Sequence, residues 1–144
     1  MTRKISPLYK DAFEEYDKGK RFSLGPLTSN KLRKDPQYVL FQVSRYKHIS
    51  RLLNHKKSII DIGSGDGVGL PILCSYFKEV AALDVDEKML NNASDCLDPS
   101  FKVEFMLHDF NVSHLLKKYK CACCFDVLSL IDPLKEEKFL LNIS

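Results

Sequence analysis

Three observations predict an α/β fold with a doubly wound parallel sheet. Short apolar runs at residues 58–62, 79–84, 103–108 and 121–128 have the composition of strands. Segments with helical spacing lie between them, and such alternation requires parallel strands joined by crossovers. The first run ends in a glycine-dense turn, Gly63-Ser64-Gly65-Asp66-Gly67-Val68-Gly69, which then enters an apolar segment able to start a helix.

The 144 residues suit one domain with one core. A hydrophobic content of 44% with 28% charged residues is ordinary for a globular chain. The net charge of +3 is too small by itself to argue for nucleic acid. No apolar run approaches a membrane span, so no membrane partner is expected. Met1-Thr2-Arg3-Lys4 is not followed by the apolar region of a secretory signal. Five cysteines without such a signal favour free thiols in a reducing, cytoplasmic compartment.

Residues 1–34 read as an N-terminal extension. Ser6-Pro7 starts a short helix with Tyr9, Phe13 and Tyr16 at helical spacing. That aromatic stripe is expected to pack onto the domain; the alternative is a lid. Residues 19–30, rich in Gly, Ser, Pro and Lys, read as a loop. Asp35 caps a helix with Pro36 in its first position, running to about Leu53. Val39, Val43, Tyr46, Ile49 or Ser50, and Leu53 form its apolar side. Its many basic residues read as a solvated face; the alternative puts Arg45 or Tyr46 near a ligand carboxylate.

Residues 58–62 form a buried strand. Gly63 and Gly65 can take positive φ and let a ligand lie against the backbone, and the next helix turns unpaired N–H groups toward the loop. The dinucleotide spacing G-x-G-x-x-G is not kept, since Val68 stands where its third glycine would be. Asp61, two residues before Gly63, is a second departure from that pattern. A helix is expected over 68–77, with Pro71 in its first turn. The strand 79–84 ends in Asp84, whose two oxygens match the vicinal hydroxyls of an adenosine ribose, in NAD or another adenosyl cofactor alike. Asp86 caps a helix over 87–96. A strand over 103–108, a helix over 111–119, a strand over 121–128 and a helix over 134–142 complete the chain. Cys121 and Cys123 share one strand face and Cys124 takes the other; with no second cysteine pair, they read as core thiols and not as a metal site.

The stretch Asp61-Ile62-Gly63-Ser64-Gly65-Asp66-Gly67 resembles the first motif of class I S-adenosylmethionine-dependent methyltransferases. The resemblance implies a Rossmann-like sheet of which residues 35–144 supply the cofactor-binding half, strands in the order 3-2-1-4, behind N-terminal helices. The sheet is then incomplete, and the chain is expected to be a fragment or a truncated product. The fourth strand becomes an open edge, suited to self-association or completion by a partner chain. The resemblance further implies S-adenosylmethionine as cofactor and an unidentified methyl acceptor. Asp61 would orient the loop and the cofactor's ammonium, often through water; Gly63, Ser64 and Gly65 would form the floor under the methionine part. Asp84, with Val85 beside it, would hold the ribose; Asp109 and Phe110 the adenine; Cys124 would lie near the sulfonium through its backbone. Asp126 matches an acid common at that place, with a structural or substrate-side role. The family's usual acid-histidine pair after the fourth strand is replaced here by Ser129-Leu130, so no catalytic base is assigned. An NAD-dependent oxidoreductase fragment and a non-catalytic binding module are the alternatives.

Overall fold

A computed structural model describes residues 7–18 and 23–144. In chain order the elements are α1 (Pro7–Asp17), α2 (Pro26–Lys34), α3 (Pro36–Leu52), β1 (Ser58–Ile62), α4 (Leu70–Tyr76), β2 (Glu79–Asp84), α5 (Glu87–Cys96), β3 (Val103–Leu107), β4 (Cys121–Cys124) and α6 (Glu136–Ile143), with a short 3-10 turn at Leu128–Leu130 before α6. The strands form one parallel sheet in the order β3-β2-β1-β4, as predicted.

Every residue of β1 is buried. A parallel strand covered on both faces needs apolar residues throughout rather than alternation, and Ser58-Ile59-Ile60-Asp61-Ile62 supplies them except at Ser58 and Asp61. On one face Ile59, Val80, Ala82 and Cys123 meet Tyr46 of α3, Leu70 and Leu73 of α4 and Ala93 of α5. On the other, Ile60, Ile62, Ala81 and Leu83 meet Phe110 and Phe139. Cys121 and Cys123 thus pack on the first face and Cys124 on the second. Two helix starts follow local capping chemistry: Asp35 accepts from Tyr38 N at 3.1 Å and Asp86 from Lys88 N at 2.8 Å.

Three expectations are corrected. Within the predicted loop at 19–30, residues 19–22 lie outside the described residues, but residues from Pro26 onward form α2. The aromatic stripe of α1 is not buried against the domain but largely open to solvent: Tyr9, Phe13 and Tyr16 are each more than half exposed. (Ser6, its expected cap, lies outside the described residues.) The helix expected over 111–119 does not form, and this stretch is turn and coil. The reason is reach. Residues 108–120 must run from the carboxyl end of β3 to the amino end of β4, past β2 and β1. That is about 14 Å across and about 16 Å back, with a climb out of the sheet plane as well. Nine helical residues would cover about 13 Å and the four others about 13 Å more, which leaves too little for the climb out of the sheet plane and back. Smaller differences are that α4 begins at Leu70 and α6 at Glu136, and that β4 stops at Cys124. Among the described residues no helix is long and apolar enough to cross a membrane.

Candidate cofactor-binding site

At the carboxyl ends of the strands lies a cavity of about 690 Å³. Open parallel sheets place ligands here, where the connections of neighbouring strands diverge. Its floor is Gly63, Ser64 and Gly65 after β1; Asp84 ends β2 and Val85 follows it; His108, Asp109, Phe110 and Asn111 follow β3; Phe125, Asp126 and Val127 follow β4. Leu27 and Lys31 of α2, with Tyr38 and Gln42 of α3, form the remaining wall.

The loop is held by its own chain. Gly63 and Gly65 have φ of 73° and 56°, the left-handed region that glycine enters without a Cβ penalty. A side chain at Gly63 would also collide with Val127, whereas at Gly65 it would meet only Leu27, at 3.6 Å. Gly63 N and Ser64 N both donate to Leu83 O, at 2.8 and 3.0 Å, and Gly65 N donates to Asp84 Oδ2 at 2.9 Å. These three N–H groups are therefore turned toward β2, and the expected cradle of unpaired donors is not formed by them. What the loop does leave open is Ser64 Oγ, which is buried and has no hydrogen-bond partner.

Asp61 stands apart from the other predicted residues. It is fully buried and does not line the cavity. Its carboxylate accepts from Tyr46 Oη at 3.0 Å and from Cys123 Sγ at 3.2 Å. Burial pushes its pKa up to about 7, against the lowering effect of those two donors, and the nearby Asp84 charge adds to the rise. The same burial raises the Tyr46 hydroxyl and the Cys123 thiol well above their ordinary values. Asp61 is thus a pin under the loop, tying β1 to α3 and β4, and not a direct ligand group.

Asp84 is not as free as predicted. Its Oδ2 accepts from Gly65 N and its Oδ1 from Asp86 N at 3.0 Å. Each oxygen keeps a lone pair for a further donor. Val85 is 66% exposed beside it. Asp109 takes both of its bonds through Oδ1, from Asn111 N at 2.8 Å and Asn111 Nδ2 at 2.9 Å; Asn111 Oδ1 is itself buried without a partner. Phe110 is buried, set edge-on to His108 at 4.8 Å and to Phe139 at 6.1 Å between ring centroids. Cys124 does not line the cavity; it packs within the sheet, and the lining passes to Phe125 one residue later. The correction follows from β4 ending at Cys124, so the loop that meets the cavity begins only at Phe125. Burial pushes the Cys124 thiol up to about 11.

The comparisons bear on this geometry. A methyltransferase-domain family matches residues 59–144. The chain belongs to that family. A search of curated proteins gave no match. Among solved structures, an S-adenosylmethionine-dependent methyltransferase from Clostridium acetobutylicum superposes with a TM-score of 0.63 at 21% identity, over 95% of this chain and 52% of its own. The magnesium protoporphyrin IX methyltransferase of Synechocystis, solved with bound SAM, gives 0.58 at 18% identity, over 99% of this chain and 72% of its own. An amino pentose methyltransferase from Micromonospora echinaspora gives 0.56 at 17% identity, over 96% and 52%. At these identities the likeness is one of fold, and the chain spans about half the length of the first of these structures.

Sequence reading missed the part of the methyltransferase domain's cavity contributed by α2 and α3. Thr28 N and Thr28 Oγ1 donate to the two oxygens of Asp66 at 2.7 and 2.6 Å. Gly25, the residue before α2, offers no side-chain cap, so the glycine loop caps this helix from 38 residues away. Lys31 is thereby brought to the cavity, its Nζ 4.6 Å from the centre of the Tyr38 ring. Neither Arg45 nor Tyr46 lines it. Arg45 forks onto Asp126 at 2.8 and 2.5 Å, and Tyr38 Oη donates to the same carboxylate at 3.1 Å. The Arg45 guanidinium, followed by the Tyr38 hydroxyl, holds Asp126 below the usual carboxylate range although partial burial opposes it. Asp126 adopts φ of 61°, a strained conformation for a non-glycine residue. The signal available in the sequence was Gly25-Pro26, a helix start with its cap missing.

Proposed function

We propose that the cavity binds S-adenosylmethionine and that the chain carries the cofactor half of a methyl-transfer enzyme. The observation that carries this reading is that Ser64, Asp84 and Asp109 stand at or just past the carboxyl ends of three adjacent strands and line one cavity. The residues fit the group: the floor at Gly65 is bare backbone, and Ser64 Oγ and Asn111 Oδ1 are buried polar atoms lacking partners.

In this reading Asp84 accepts from the ribose hydroxyls with the lone pairs its two backbone bonds leave. Asp109 Oδ2 accepts from the adenine amino group and Phe110 covers the ring. Ser64 and Lys31 meet the amino-acid end, Lys31 as the cation for its carboxylate. Asp61 makes no direct contact; it holds the loop from beneath, and its charge acts on the site through space. When bound, S-adenosylmethionine supplies a methyl group made electrophilic by the sulfonium. The chain's task is then to align an acceptor and exclude water, and α2, resting on the glycine loop, is the cover that does so. No lining side chain is assigned as a base, because Asp126 is already committed to Arg45 and Tyr38. The free thiols support a reducing, cytoplasmic setting, and the open edge of β4 supports self-association or completion by a partner strand.

Calorimetric titration with S-adenosylhomocysteine and with NADH tests the reading. S-adenosylhomocysteine should bind more tightly, and Asp84→Asn should weaken it by about 1–3 kcal/mol through loss of charge-assisted hydrogen bonds. Tighter binding of NADH would overturn it.

A further inference from the structure

The outer face of α3 has no role in the site just described, and its chemistry is distinctive. Phe41, Ser44, His48 and Leu52 follow one another at three- and four-residue steps, as do Leu40, Ser44, Lys47 and Arg51, so these residues share one side of the helix. All of them are exposed. The apolar ones are large: Leu40, Phe41 and Leu52 are 69%, 62% and 65% exposed. The opposite side of the helix is fixed to the domain through Val39, Tyr46 and Ser50, so α3 cannot turn to bury this stripe. Arg45 lies under one side of the Phe41 ring, 5.1 Å from its centre, and its guanidinium is held by Asp126.

The charge around the stripe is strongly one-sided. Residues 31–57 contain eight lysines and arginines against one acid, Asp35, in a chain whose net charge is only +3. Arg33 and Lys34 flank one end of α3, and Lys56 and Lys57 the other, all exposed. The rest of the molecule is therefore net acidic, and this local excess of cations lies beside the stripe's exposed apolar side chains.

We propose that this face of α3 docks on an anionic phospholipid surface, with Phe41, Leu52 and Leu40 entering the interface and Lys47, Arg51 and the flanking cations meeting the headgroups. An anionic bilayer surface meets both needs of this side, taking large apolar side chains at its acyl boundary and cations at its headgroups. A nucleic acid would satisfy the cations but offers nothing to Leu40 and Leu52, and the stripe gives a base only Phe41 and His48 to stack on. A second copy meeting this face through a two-fold axis would oppose Lys47 and Arg51 to themselves. The association is peripheral and involves no spanning segment; it departs from the sequence expectation of no membrane partner, and it stands whether or not the cavity binds S-adenosylmethionine.

The test is co-sedimentation of the full chain with vesicles of phosphatidylcholine alone and of phosphatidylcholine mixed with phosphatidylglycerol. Binding to the mixed vesicles only, weakening as salt is added, is the expected result. The double variant Lys47→Gln/Arg51→Gln should lose roughly 25-fold in partitioning, at roughly fivefold per cation near an anionic surface. Phe41→Ser/Leu52→Ser, which keeps every charge, should lose several-fold while keeping the salt dependence. Circular dichroism checks that the variants fold; the salt titration on the unaltered chain stands independently of them. Equal binding to neutral vesicles, no binding to mixed vesicles at low salt, variants that partition like the parent, or displacement from vesicles by a single-stranded RNA oligonucleotide would each overturn the proposal.

Discussion

Replacing Asp61 by asparagine should make the protein more stable at neutral pH and remove a fall in stability that the parent shows on raising pH. The carboxylate is fully buried with a pKa pushed up from 3.8 to about 7. In the unfolded chain it ionises near its ordinary value, so between about pH 4 and about pH 7 the folded state binds a proton that the unfolded state has released. Stability therefore declines as pH rises through this window and levels off above it, the reverse of the behaviour of a salt-bridged acid. The difference of about three units corresponds to about 4 kcal/mol at full ionisation. Asparagine has the same shape and cannot ionise; its oxygen still accepts one of the two donors, and the Tyr46 hydroxyl can turn to accept from the new amide. Misfit of the amide costs about 1 kcal/mol, so the variant should gain up to about 3 kcal/mol above the window and lose about 1 kcal/mol below it. Urea unfolding followed by circular dichroism across this window, for parent and Asp61→Asn, measures the difference curve and cancels other titrating groups. Parallel curves for the two proteins would refute the reasoning, because they would mean that the carboxylate is not held neutral by burial.

Other outcomes follow from the same contacts. Asp66→Asn and Thr28→Val should each release α2 by about 1–3 kcal/mol, through loss of hydrogen bonds to a charged group; amide exchange at residues 26–34 should speed up while that of β1 and β2 is unchanged. Tyr46→Phe removes one donor from the buried carboxylate, which should cost about 1–3 kcal/mol and raise the Asp61 pKa further, both readable in the same urea series. Gly63→Ala forces a side chain into Val127 at positive φ; it should lower the melting temperature and weaken S-adenosylhomocysteine binding together, as seen by calorimetry. S-adenosylmethionine carries a positive sulfonium, which favours the ionised form of Asp61, so its affinity should rise as pH passes through about 7. The neutral thioether S-adenosylhomocysteine should show a smaller rise; equal pH profiles for the two ligands would sever Asp61 from the site.

Local chemistry made much of this molecule legible in the sequence. The strands ending in Ile62 and Asp84, the cap residues Asp35 and Asp86 and the helix from Glu87 to Cys96 are set by neighbours within a few positions, and these matched the structure. That the strands run parallel followed from the crossovers; their order was what the resemblance to class I methyltransferases implied. What was not legible depended on distant partners. The cap of α2 is Asp66, so Gly25-Pro26 alone looked like a loop. The spacing of residues 111–119 suited a helix, but the distance to be spanned between β3 and β4 ruled it out. Asp84, Val85, Asp109 and Phe110 could be assigned to a rim because each sits on or just beyond the end of its strand. Asp61 lies within its strand and Cys124 is the last residue of one shorter than expected, and only packing decides whether such a residue faces a ligand or the interior.

The strap between β3 and β4 gives the molecule a seam. It carries Lys117, Lys118 and Lys120 on a stretch without helical hydrogen bonding, which opens it to trypsin. The piece released, β4 with α6, is held by a parallel ladder from Ile59 opposite Cys121 to Ile62 opposite Cys124, and by Phe139 in the core beneath. A nicked molecule would stay together until denatured, and its two peptides, mixed afresh, would find each other through that ladder.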